Sequence, residues 1–283
     1  LMVATRQLPI PKMTARRFGA RCLPALTDDA LYERTGVRIA FTGREGGVSE
    51  GPYAALNLGN HVGDDAEAVE RNRALVLEAL DAADVPLVVP SQVHGDEVVE
   101  LDDASPKALA AARDAARAGA DALVAHVANV AALLCFADCV PVIVVSPTGR
   151  FAVAHAGWRG VENGVAAKAV RALARADSAE LGPDAAGAYN VYVGPHIHAS
   201  CFETGADVRK RFEDRFGSSC IPDERHVDLL EALTIGLEEA GVDRARVADA
   251  GACTVCSSDE YFSYRASGGT CGRHGAVAFR KVR

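Results

Sequence analysis

Three short segments carry side chains suited to holding a metal or attacking a substrate. They are Ser91-Gln92-Val93-His94-Gly95, Ala137-Asp138-Cys139-Val140-Pro141 and Ala154-His155-Ala156-Gly157-Trp158-Arg159-Gly160. In each, an apolar stretch ends on a ligand-type residue beside glycine or an acid, where a rigid scaffold presents functional groups. Glycine there lets a backbone or a substrate approach closely. Two imidazoles and one thiolate suit zinc. Three protein ligands leave a fourth position for water or substrate, the catalytic rather than the structural pattern. The ligands are far apart in the chain, so spacing alone carries little weight. Taken singly, a histidine after a strand is more often a hydrogen-bonded structural residue, and a buried cysteine a small hydrophobe. Cys139 and His155 also fit a different chemistry, the nucleophile and base of a cysteine hydrolase acting on an amide or ester.

Positioning such residues takes a scaffold, and the apolar runs supply one. Strands are expected at Val37–Phe41, Leu87–Val93, Val130–Phe136, Val140–Val145, Phe151–Ala154 and Asn190–Val193. Helices are expected over Asp64–Ala82, Ala104–Ala118, Gly160–Ala174, Glu203–Phe216 and His226–Ala240. The links from Val130–Phe136 to Val140–Val145, and on to Phe151–Ala154, are too short for helical crossovers and favour antiparallel neighbours. The expected class is α+β, with helices covering sheets in layers, rather than a doubly wound parallel sheet. Residues 1–20 read as a disordered tail and 21–283 as a single catalytic domain.

Composition narrows the function. The 283 residues are 49% hydrophobic and 24% charged, ordinary for a globular protein. A chain of this size builds its core without staples, so a bound metal would serve chemistry. The formal charge of -8 argues against a nucleic-acid surface but leaves room for a local cluster of arginines. No apolar run is long enough to span a bilayer, and no secretory leader precedes the domain, so a cytoplasmic protein is expected. The eight cysteines then read as thiols rather than a disulfide framework. Cys253-Thr254-Val255-Cys256 has the gap of a metal or redox pair, but with no second such pair ordinary buried thiols are the simpler reading. His196 and His198 alternate on an extended segment, and Trp158 can pack under its own loop.

The three segments resemble the signature motifs of the purine nucleoside phosphorylases formerly described as laccase-domain, or multicopper polyphenol oxidase, proteins. Further matching segments include Arg44-Glu45-Gly46-Gly47-Val48-Ser49, Leu56-Asn57-Leu58-Gly59, Ala120-Asp121-Ala122, Phe262-Ser263-Tyr264-Arg265 and Gly272-Arg273, so nearly the whole chain takes part. The resemblance implies a single-domain four-layer α/β/β/α sandwich with mixed sheets. It also implies Zn2+ bound by His94, Cys139 and His155, and phosphorolysis of purine nucleosides to base and ribose 1-phosphate. Adenosine deamination is a related activity. Members implicated in peptidoglycan editing give the cysteine-hydrolase alternative a cell-wall amide as substrate.

The expected partners are a purine nucleoside and phosphate, with neither nucleic acid nor membrane. Copper is the lesser expectation. A multicopper oxidase needs several histidine clusters with paired His-X-His ligands, and among eight histidines only His196-Ile197-His198 has that form. Arg44, in a glycine-flanked loop, and Arg159 are candidates for phosphate, since arginine offers a bidentate fork; either could instead make an ordinary salt bridge. Asn57 could bind sugar or base, or cap its own turn. His61 is a candidate general acid for the leaving base, and Asp138 could orient a metal ligand.

Overall fold

The computed structural model describes residues 7–282. In chain order the strands are β1 (Thr14–Phe18), β2 (Leu23–Thr27), β3 (Val37–Thr42), β4 (Leu87–Val88), β5 (Val98–Leu101) and β6 (Ala122–Ala125), then β7 (Ala131–Phe136), β8 (Val140–Val145), β9 (Phe151–Ala156), β10 (Asn190–Val193), β11 (Val247–Asp249) and β12 (His274–Arg280). The helices are α1 (Asp29–Thr35), α2 (Ala66–Ala79), α3 (Pro106–Ala118), α4 (Trp158–Asn163), α5 (Val165–Leu181), α6 (Ala206–Phe216) and α7 (Leu229–Glu239). One sheet has the order β1-β2-β3-β12-β7-β4 and the other β11-β10-β8-β9-β6-β5. Both are mixed, because β4·β7, β10·β11 and β5·β6 are parallel pairs and the rest antiparallel.

Side-chain alternation divides the core into three slabs. Along β7, Ala132, Leu134 and Phe136 face the other sheet, whereas Ala131, Leu133 and Cys135 face α2. Ile39 and Phe41 of β3 meet Ile143, Val153 and Tyr192 in the space between the sheets. On the far side, Val140, Val142 and Val144 of β8 pack under α5 and α7. Each such Val or Leu contributes about 1.5–3 kcal/mol by leaving water. The result is α2, sheet, sheet, α4–α7: the expected four-layer α/β/β/α sandwich.

The structure corrects several details. The expected tail over 1–20 is built into the fold where it is described: Leu8 is buried and β1 pairs with β2. β1 is an edge strand whose central arginine pair is exposed, so it lacks the apolar alternation that would mark it in a sequence. Residues 1–6 lie outside the described residues. β7 and β8 are not neighbours; residues 137–139 carry the chain from one sheet to the other. Asp138 takes a φ of 94° at this corner. The expected β8–β9 pair does form. The helix expected at Gly160–Ala174 begins at Trp158 and is divided by Gly164, which sits at φ 76°.

Candidate metal centre

His94, Cys139 and His155 meet at one end of the sandwich, with their ligand atoms all within 4.8 Å of one another. His155 is the penultimate residue of β9 and turns into the inter-sheet space, where the Phe136 ring lies 5.4 Å from it. Cys139 stands at the corner between the sheets. His94 sits in the loop after β4, its φ of 58° turning the backbone so that its ring meets that of His155 edge-on at 4.8 Å. The three are graded in burial: His155 buried, Cys139 half-buried, His94 exposed.

Two side chains hold this arrangement. Asp121, fully buried, accepts from His155 Nδ1 at 2.8 Å and from the backbone N–H groups of His94 at 3.1 Å and Gly95 at 2.7 Å. One carboxylate thus fixes two ligands, and with Nδ1–H occupied the lone pair of His155 is on Nε2, free for a metal. Gln92 imitates a strand residue: its Nε2 donates to the Cys135 carbonyl and its Oε1 accepts the Cys135 N–H, both at 2.8 Å. That clamp ties the His94 loop to β7. Gly157 leaves the necessary space, since a Cβ there would stand 3.1 Å from His94 Cδ2 and 3.2 Å from Cys139 Sγ.

Electrostatics favour deprotonated sulfur. Burial pushes the Cys139 thiol up, but the imidazoles of His155 and His94 outweigh it and bring it down to about 6. Burial likewise opposes charge on His155, yet Cys139 and Asp121 raise it to about 9. A pre-formed thiolate with two convergent imidazoles fits zinc: the sulfur would be ready to bind, and a cation would displace the His155 proton to solvent. The fourth side of the site opens on a cavity of about 440 Å³.

His61, Trp158, Phe202, Tyr264, Arg265 and Arg273 line other parts of that cavity. Burial, then the Arg273 guanidinium and the two ligand histidines, hold His61 below its ordinary range, so it stands as neutral imidazole rather than a stored acid. Arg44 does not reach the cavity. Its Nε and Nη2 donate to the Ala54 carbonyl and its Nη1 to that of Ser258, so it ties two loops together. Asn57 is fully buried and satisfied: its Nδ2 donates to Gly59 and Asp64, and its Oδ1 accepts from the N–H of Gly59 and of Arg273. It positions Arg273. Arg159 is exposed and lies over the Trp158 ring at 4.2 Å, outside the cavity wall. Asp138 does not orient a metal ligand; it accepts the Thr254 hydroxyl and the Arg265 N–H, both at 2.7 Å.

The residues that sequence reasoning left out of the site are chiefly Asp121, Gln92 and Arg273. Each lies within a matching segment, but its part depends on a contact made across the fold. Arg273 has Nη1 tied to the Cys271 and Gly272 carbonyls, while its Nε and Nη2 make no hydrogen bond among the described residues.

Fold and site together define a four-layer sandwich with an open His-Cys-His centre beside a cationic, aromatic-walled cavity. The family profile described as multi-copper polyphenol oxidoreductase laccase matches residues 38–281, and the chain belongs to that family. A Bacteroides thetaiotaomicron protein named purine nucleoside phosphorylase is 34% identical over 87% of this chain and 92% of its own. A prokaryotic protein named adenosine deaminase RL5 is 32% identical over 86% of this chain and 94% of its own. The crystal structure of Bacillus licheniformis hypothetical protein YfiH superposes with a TM-score of 0.78 at 28% identity, covering 91% and 96% of the two chains. No helix among the described residues is long and apolar enough to cross a membrane.

Proposed function

We propose that the chain is a zinc-dependent purine nucleoside phosphorylase. The observation that carries this reading is the placement of an open three-ligand centre and a free arginine fork on walls of one cavity. The relatives' names support the nucleoside. His94, Cys139 and His155 would hold the zinc, which when bound would supply a fixed positive centre beside the substrate. Tyr264 and Phe202 offer flat apolar faces for a purine. Phosphate goes to Arg273 rather than to Arg44 or Arg159, because Arg273 lines the cavity and its Nε and Nη2 make no hydrogen bond among the described residues. A phosphate oxygen then attacks the anomeric carbon, the bond to the purine nitrogen breaks, and the base leaves with the electron pair.

His61 supplies the proton for that base in step with phosphate. Burial is the main cause that depresses the imidazole; a dianion on Arg273 offsets the next, the guanidinium charge, and so favours a proton on His61 that passes to the base as it departs. Copper oxidation is less well supported, since no other metal-capable cluster among the described residues contains a second histidine pair. Adenosine deamination is a second reading, favoured by the deaminase relative; it uses the same nucleoside cavity and needs no phosphate. The cysteine-hydrolase alternative draws on the Cys139-His155-Asp121 line, but leaves His94 without a task.

The deciding experiment incubates protein of measured zinc content with a nucleoside panel, with and without phosphate, and identifies products by mass. Phosphate-dependent ribose 1-phosphate is the expected result. Ammonia formed without phosphate would move the assignment to a deaminase. Turnover of amides alone, with loss of activity on alkylating Cys139 in zinc-loaded protein, would overturn the metal reading.

A further inference from the structure

Three thiols beside the cavity have no part in the chemistry above. Cys253 and Cys256 lie in the turn after the His196–Cys253 bridge, and Cys201 ends the short helical turn Ala199–Cys201. Their Sγ atoms all lie within 4.8 Å of one another, with Cys201 and Cys256 3.6 Å apart. The two-residue spacing turns both sulfurs of one loop to the same side, and the third arrives from a separate loop. Cys253 is buried, and the His198 backbone N–H meets its sulfur at 3.4 Å, a donor of the kind that stabilises a thiolate. In the same segment, His198 Nε2 is buried with no hydrogen-bond partner among the described residues, though it lies outside the group that the three sulfurs form.

We propose that Cys201, Cys253 and Cys256 form a second metal site, a thiolate cradle for zinc or a similarly soft divalent cation, distinct from the His94–Cys139–His155 centre. Three S–H bonds are exchanged for three metal–sulfur bonds, the protons pass to solvent, and no electron is transferred. Exposure on the Cys256 side leaves a fourth position open to water. Thiolate donors select such ions over magnesium or calcium.

The site's place gives it a consequence. Phe202, next to Cys201, lines the cavity, and so does Arg265, whose Nη1 donates to the Cys201 carbonyl at 3.2 Å. Thr254, between the other two thiols, is tied through Asp138 to the Arg265 backbone. A cation held by the three sulfurs would fasten the Cys253–Cys256 turn to the loop that brings Phe202 to the cavity wall.

The test is metal stoichiometry on the full chain after zinc loading and gel filtration. Wild type should hold two equivalents, and Cys256→Ser, the exposed and least disruptive change, should hold one. The double variant His94→Ala/His155→Ala should also hold one. Loaded with cobalt(II), it should keep an intense thiolate-to-metal band that Cys256→Ser then abolishes. Circular dichroism and melting curves on each variant separate metal loss from unfolding. One equivalent in wild type, unchanged in Cys256→Ser, would overturn the proposal. So would an intact mass, before any reductant, showing that Cys201 and Cys256 have lost a pair of hydrogens to a disulfide. Neither result bears on phosphorolysis, which is read at the other centre.

Discussion

Asp121 illustrates how one buried side chain can decide a site without touching substrate. It holds the His155 ring and the His94 backbone at once, so replacing it by asparagine removes the charge that orients both. Zinc affinity in Asp121→Asn should fall about 10–100-fold, measured by competition with a chelator; unchanged affinity would refute its positioning role. The arginines separate in the same way. Arg273→Ala should raise the Michaelis constant for phosphate roughly ten- to hundredfold, the effect of losing a charge-assisted donor of about 1.5–3 kcal/mol. Metal content should not change. Arg44→Ala should instead lower the melting temperature, since it releases the Ala54 and Ser258 carbonyls, and leave phosphate affinity nearly untouched. Both arginines sit in matching segments, and nothing in residue type or spacing distinguishes them. What does so is which nitrogens are already engaged: all three in Arg44, only Nη1 in Arg273.

At the scale of elements, the decisive feature is the corner at 137–139. A three-residue link between apolar runs reads as a hairpin, yet here it crosses between sheets and delivers Cys139 to their common end. Short length was legible; the partner of each strand was not, because β7 pairs with β12, far along the chain. β12 itself is rich in glycine and alanine and carries little strand signature in sequence. The three candidate segments stood out because each sets a ligand-type side chain beside glycine or an acid. Gly157 makes this testable. Its φ of -64° is open to any residue, so Gly157→Ala should fold normally. The added methyl meets His94 and Cys139, and zinc affinity should drop about tenfold, or about 1.4 kcal/mol, by calorimetric titration. A melting temperature that falls in the metal-free variant would show that the fold, not the ligands, absorbs the clash.

For the molecule as a whole, His274 is one group that makes stability fall in acid. It is fully buried in β12, and burial, with the Arg273 and Arg44 charges adding and the Pro195 carbonyl opposing, pushes it down to about 3. An unfolded histidine titrates near 6.5. Between these values the unfolded chain binds a proton that the folded chain refuses, so stability falls as pH drops from about 6.5 toward 3. The loss is roughly 1.4 kcal/mol per pH unit within that window. Urea unfolding of metal-free protein at pH 7 and pH 5 should reveal it, and His274→Phe should flatten the slope whatever its effect on absolute stability. Equal slopes in the two proteins would exclude His274 as the cause. The layered class was legible from the short strand links and the helices between them, but the central place of β12 was not, and that place bears on how the protein is made. A ribosome releases β1, β2 and β3 long before residues 274–280 exist, yet β3 and β7 are joined only through them. The emerging chain therefore carries an unfinished sheet edge from the synthesis of Thr42 until that of His274. Its early strands depend on chaperones, or on speed, to avoid pairing with a neighbour.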